Sequence, residues 1–187
     1  MKVSEEALNH LKSLQVDPTK LSEEEYFMAT HIQMPRLIYK GSHNNPLPAY
    51  QTEQSSCFDI LADEMVFIPP HSQAIIKTGL YLTMEDAAHF INLNPAVMNL
   101  ALVLRERSGL ATKGLSLGAG EIDRDYLVEN NPENEIKVIL RNLTAEEVKV
   151  TPGDRICQAK WELVLKDPFL EVKSNKRVGG FGSTGSK

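Results

Sequence analysis

Five short segments carry side chains suited to holding phosphate and moving a proton. Arg107, Ser108 and Gly109 follow the apolar run Leu100 to Leu104. A forked cation, a hydroxyl and a closely approaching backbone N–H suit a cluster of phosphate oxygens. Gly118-Ala119-Gly120-Glu121-Ile122-Asp123-Arg124-Asp125-Tyr126 reads as a glycine-rich hairpin ending in acids and a tyrosine. Glycines let a flat ligand lie against the backbone, whose N–H and C=O groups can read a base edge. A carboxylate fixed beside water accepts a proton as that water attacks, and Asp123 is the candidate. Pro152-Gly153-Asp154-Arg155-Ile156-Cys157-Gln158 is a turn entering a strand, where the Gln158 amide both donates and accepts. Gly179-Gly180-Phe181-Gly182-Ser183-Thr184-Gly185 offers N–H groups, hydroxyls and one aromatic face, with Lys176 and Arg177 just upstream. It is not a Walker A loop, because the Gly-Lys-Ser/Thr order is absent and no helix follows. Asp59, in Phe58-Asp59-Ile60-Leu61-Ala62, is an acid in an apolar strand, costly there unless paired. An ion pair with an arginine and a metal-linked role both satisfy that constraint.

These segments need a rigid scaffold, and the sequence predicts an all-β one. From about Pro35, short β-branched runs alternate with turn clusters: Phe67-Ile68 before Pro69-Pro70, Ala74-Ile75-Ile76, Gly79-Leu80-Tyr81-Leu82, Ile136 to Leu140, and Val148-Lys149-Val150 before Pro152-Gly153-Asp154. Many short strands with Gly/Pro turns imply a barrel or a two-sheet jelly roll. The stretch from Glu85 to Leu100 reads as a helical turn or loop, broken at Pro95.

Residues 1–33 read as a short helical extension. Ser4 caps one turn, with Leu8, Leu11 and Leu14 on a face, and Ser22-Glu23-Glu24-Glu25 fits a capping box that opens a second helix after Asp17-Pro18. The β domain then spans 34–172, and a glycine-rich arm, 173–187, lacks the apolar periodicity that would hold it down.

Composition narrows the function classes. A chain of 187 residues with 42% hydrophobic content can bury a core without disulfides. A net charge of −5 argues against a general nucleic-acid surface, so any phosphate site must be a local cluster of cations and N–H groups. Cys57 and Cys157 form no CxxC pair, and His10, His31, His43, His71 and His89 show no zinc-ligand spacing with them. The N-terminus lacks an apolar signal core and no stretch approaches a membrane span, so a soluble, cytoplasmic protein with reduced thiols is expected.

Taken in order, the five segments resemble the five motifs of the trimeric dUTPases: FDILA, RSGLA, GAGEIDRDY, PGDRICQ and GGFGSTG, over about residues 46 to 185. The resemblance implies a jelly-roll homotrimer with three active sites between subunits. It implies hydrolysis of dUTP to dUMP and pyrophosphate with Mg²⁺ bridging the triphosphate, which limits uracil in DNA and supplies dUMP. By the same resemblance, Asp123 activates the water and Tyr126 underlies the sugar, excluding a 2′-hydroxyl. The backbone at Gly120, Glu121 and Ile122 pairs with uracil. Arg107, Ser108, Gly109 and Gln158 contact phosphate, and Lys137 lies near the nucleotide. Phe181, followed by Gly182 in the arm, stacks on the base, and Asp59 is linked to the metal's water shell or to site architecture.

Several positions depart from the family pattern. Cys57 stands for a usual glycine, Glu106 for a proline, and Glu121 for an aliphatic residue beside the base pocket. Lys176-Arg177-Val178 replaces the usual Arg-Gly, so either Lys176 or Arg177 takes the γ-phosphate. The stretches Leu127 to Asn134 and Glu85 to Leu100 are longer than usual. A dCTP-directed enzyme of the same fold and a nucleotide-gated signalling protein are the competing readings.

Overall fold

The computed structural model of the chain describes residues 17–23, 27, 31–87, 90–91, 98–167 and 170. Its strands are β1 (Ile32–Gln33), β2 (Arg36–Tyr39), β3 (Phe58–Leu61), β4 (Val66–Ile68), β5 (Gln73–Thr83), β6 (Phe90–Ile91), β7 (Met98–Arg105), β8 (Leu115–Leu117), β9 (Glu121–Asp123), β10 (Glu135–Asn142), β11 (Val148–Val150) and β12 (Arg155–Leu165). One helical turn, α1 (Ser108–Ala111), follows β7. Among the described residues two four-stranded sheets form, ordered β2-β5-β10-β8 and β3-β12-β7-β9, with two smaller pairs, β1-β6 and β11-β4.

The alternation of side chains decides which face of each sheet is buried. Ile76, Leu80, Leu82, Ile136, Val138 and Leu140 from one sheet meet Phe58, Ile60, Leu102, Leu104 and Ala159 from the other in one core. On β12, Cys157 and Ala159 point inward, so Gln158 and Lys160 lie on the opposite face. No helix among the described residues is long and apolar enough to cross a membrane.

The structure corrects three local expectations. Ile32–Gln33, expected at the end of a helical extension, is a strand: Ile32 pairs with Ile91 and is buried. Residues 85–100 are not simply a loop, because Phe90–Ile91 supplies that partner strand and Met98 already begins β7. The segment around Gly118 to Gly120 is not a hairpin either. Strand β8 pairs with β10 and β9 with β7, so the chain crosses there from one sheet to the other. The first expected helix lies outside the described residues, and Pro18–Lys20 forms a 3-10 turn capped by Asp17. Of the second, Glu23 and Phe27 are described, both helical.

A buried carboxylate organises the loop after β2. Asp63 accepts hydrogen bonds from the Tyr39 hydroxyl, from Ser42 N at 2.8 Å and from His43 N at 3.2 Å. Burial acts to raise its pKa, but these hydrogen bonds and the charge of His43 outweigh it and hold the group below its ordinary 3.8. A depressed folded pKa means the stabilisation is present above the unfolded value and is lost as pH falls through the folded one. Asp63→Asn should therefore flatten the acid-side decline in stability below about pH 3.8 and cost about 1–3 kcal/mol at pH 7. Urea melts of both proteins at pH 7 and pH 3 measure this.

Candidate active site on the outer sheet face

The outer face of the β3-β12-β7-β9 sheet brings together Asp59, Arg107 and Gln158. Asp59 on β3 lies opposite Gln158 on β12, which lies opposite Arg105 on β7. Asp59 is buried, and its Oδ1 accepts from Arg107 Nε at 2.9 Å and from Gln158 Nε2 at 3.4 Å. Its Oδ2 faces Arg155 Nη1 at 3.5 Å. The pairing that an acid in this apolar strand requires is thus supplied by two arginines.

Arg155 reaches this face because of a bulge. The pairing of β12 with β3 shifts between Arg155 and Cys157, leaving Ile156 as the extra residue. In a regular strand, residues 155 and 158 would point to opposite faces; the extra residue puts both on one. Ile156 and Cys157 are both buried in consequence. Burial and the charge of Asp59 push the Cys157 thiol up, against the opposing charge of Arg107, so it is an inert core side chain. Arg155 carries no recognisable signal in the sequence beyond its spacing of three residues from Gln158, which only a bulge makes meaningful.

Two arginines around one carboxylate leave a net positive corner. The Arg107 side chain is 22% exposed and that of Arg155 is 56% exposed, so both can still meet a ligand. Ser108 and Gly109 open α1, where the first backbone N–H groups have no helical acceptor. A Cβ placed on Gly109 would meet nothing within 4 Å, so this backbone faces open space. A cleft lined by Pro46, Leu47, Ala49, Asp59 and Arg155 adjoins the corner.

The remaining residues lie elsewhere in the same chain. Strand β9 forms the far edge of the sheet, with Asp123 opposite Ala101 and Glu121 opposite Val103, both acids exposed and Ile122 packed on the core. Gly120 accepts from Leu104 N at 2.6 Å through its carbonyl, and an added Cβ would lie 2.9 Å from Leu104 O. Glycine is what lets the crossing segment lie this close to β7. Tyr126 is buried and donates its hydroxyl to Glu135 O at 3.4 Å, while its N–H bonds Asp123 O at 3.0 Å. Lys137 lies on β10 opposite Lys77. From Ala101 to Arg107 is six residues, which puts Asp123 roughly 20 Å from Arg107 within one chain. Lys176, Arg177, Phe181 and Gly182 lie outside the described residues.

The described residues thus form a two-sheet β protein with a cationic corner and, on a separate edge, an exposed carboxylate. A family model described as dUTPase matches residues 43–185. The deoxyuridine 5'-triphosphate nucleotidohydrolase of Helicobacter pylori (strain Shi470) is 38% identical over 155 residues, covering 79% of this chain and 94% of that protein. A dUTPase from Streptococcus mutans, of known crystal structure, superposes with a TM-score of 0.55 at 26% identity, over 75% of this chain and 99% of its own. A mutant dUTPase from phage phi11 of S. aureus, whose structure reveals the coordination of a structural Mg(II) ion, gives a TM-score of 0.57 at 16% identity over 75% and 97%. The chain belongs to the dUTPase family.

Removing the shared carboxylate leaves two cations facing each other at short range. Asp59→Ala should lower stability by about 3–5 kcal/mol, the usual cost of breaking a buried pair from one side. Arg155→Ala, which removes the more exposed partner, should cost less than about 1 kcal/mol. Thermal denaturation of the two variants in one buffer gives the comparison, and equal losses would show that Asp59 is not the centre of the cluster.

Proposed function

We propose that this chain hydrolyses dUTP to dUMP and pyrophosphate, as a homotrimeric jelly roll whose active sites are completed between protomers. The observation that carries the reading is the clustering of Arg107, Arg155 and Gln158 around Asp59 in a member of the dUTPase family. Distance supports a shared site: Asp123 lies roughly 20 Å along the sheet from the cationic corner of its own chain, so a corner supplied by a neighbouring protomer suits it better.

In this mechanism the cationic corner takes the triphosphate. Arg107 and Arg155 supply charge, Ser108 and Gly109 supply a hydroxyl and N–H groups, and Gln158 supplies an amide donor. The backbone at Gly120, Glu121 and Ile122 reads uracil, and Tyr126 closes the space where a 2′-hydroxyl would lie. Cytosine would bring a donor where the backbone expects an acceptor, a mismatch worth about 1–3 kcal/mol per unpaired group. Asp123 Oδ accepts a proton from water as its oxygen bonds to the α-phosphorus. The bond from that phosphorus to the bridging oxygen breaks, and pyrophosphate leaves with the electron pair. Lys137 lies beside the nucleotide, Lys176 or Arg177 reaches the γ-phosphate, and Phe181, with Gly182 beside it, covers the base.

Mg²⁺ fits this site on the triphosphate rather than on the protein. Among the described residues no group of three His, Cys, Asp or Glu gathers to hold a metal, and both Asp59 oxygens already face guanidinium groups. A bound Mg²⁺ would supply charge neutralisation to the triphosphate held by Arg107, Arg155 and Gln158. The part of the chain is to orient the anion, which electrostatic preorganisation converts into rate.

Asp123→Asn should lower turnover by about 10²–10⁴-fold while a non-hydrolysable dUTP analogue binds nearly as before. Pyrophosphate release from dUTP, dCTP, dTTP and UTP with Mg²⁺ tests the substrate, and ammonia release from dCTP separates a deaminase. A variant with wild-type turnover would remove Asp123 from its role. Deleting residues 176–187 should abolish turnover and leave the trimer intact by light scattering; an active truncated trimer would make the arm a linker.

A further inference from the structure

We infer that Arg124 is a positioning residue, holding the catalytic turn through a ring of hydrogen bonds drawn from three separate segments of the chain. The inference rests on the proposed role of Asp123. Strand β9 is three residues long and ends at Asp123, on the edge of its sheet. Beyond it the chain turns at once, closed by the bond from Tyr126 N to Asp123 O. Besides the pairing of Asp123 with Ala101, the position of the carboxylate therefore depends on what holds residues 124 and 125.

Both are held from outside the turn. Arg124 Nε donates to Gln33 O at 2.9 Å, and Asn130 Nδ2 donates to Asp125 O at 2.7 Å. Gln33 lies on β1, ahead of the residues matched to the family, and its side-chain amide donates to Ala87 O. Ala87 N closes a turn onto Met84 O at 3.1 Å. Met84 N and Glu85 N donate to the Glu129 carboxylate at 2.9 and 3.3 Å, beside the Thr83 hydroxyl. Glu129 precedes Asn130, which returns the ring to Asp125. Gln33, the turn at 83–87 and the pair Glu129-Asn130 thus meet around one turn.

Stability does not account for this arrangement well. Burial pulls the Arg124 guanidinium down, and Asp125 opposes it only in part. A desolvated cation bonded to a neutral carbonyl contributes little net stability. What the bond does fix is position: a catalytic group misplaced by about 1 Å can lose on the order of 100-fold in rate.

Steady-state kinetics of the full chain test the ring. Arg124→Ala should lower kcat by roughly 10- to 100-fold with KM for dUTP little changed. Arg124→Lys, which can still reach Gln33 O, should recover part of the loss. Arg124→Ala combined with Asn130→Ala should be no worse than the poorer single variant, because the two act on one turn. Hydrogen exchange at the Tyr126 amide should quicken in Arg124→Ala while the core amides of β10 stay protected. Unchanged kcat, no recovery with lysine, or independent multiplicative losses would overturn the inference. A wild-type chain inactive on dUTP would sink the proposed function instead. The exchange at Tyr126 would then decide the ring by itself.

Discussion

The arrangement of the site turns on one buried carboxylate shared between two guanidinium groups. Asp59 sits among apolar neighbours on β3, where an unpaired charge is not tolerated. Satisfying it fixes Arg107 at the end of β7 and draws Arg155 from the start of β12. The same requirement places Gln158 at the corner, because it faces Asp59 across the β3–β12 ladder. One stability constraint thus brings Arg107, Arg155 and Gln158 to one corner, and two guanidinium groups around a single carboxylate leave it a surplus of positive charge.

The second constraint is geometric. The chain changes sheets at Gly118 to Gly120, and this crossing lays β9 along the edge of β7. Side chains larger than glycine would collide there with Ile139 and with the Leu104 carbonyl. The crossing presents Asp123 and Glu121 outward while Ile122 closes the core. It also separates the Asp123 carboxylate from the cationic corner of the same chain, by roughly 20 Å along the sheet.

Elements distant in sequence converge beside the edge that carries Asp123. The β1–β6 pair and the loop around Glu129 lie beside the turn that follows Asp123. Their hydrogen bonds run to the backbone of the turn between Asp123 and Tyr126.

Residue types and their order determined the class of chemistry, since a cation, a hydroxyl, close-approaching glycines and an acid-tyrosine pair can be read without coordinates. The strands around Phe67-Ile68, Ala74 to Leu82, Ile136 to Leu140 and Val148 to Val150 were equally legible, because a face buried at every second residue writes itself into the sequence. The alternation did not predict Arg155, for a bulge changes facing without changing composition. Nor did it predict that Gly118 to Gly120 joins two sheets, because a glycine-rich turn looks the same whether its flanking strands pair with each other or with distant partners. Strand Phe90–Ile91 escaped for a like reason: two residues carry no period, and only pairing with Ile32–Gln33 makes them a strand. Local pattern records which side of an element is buried; partner choice is a long-range matter, settled only when the whole chain has packed.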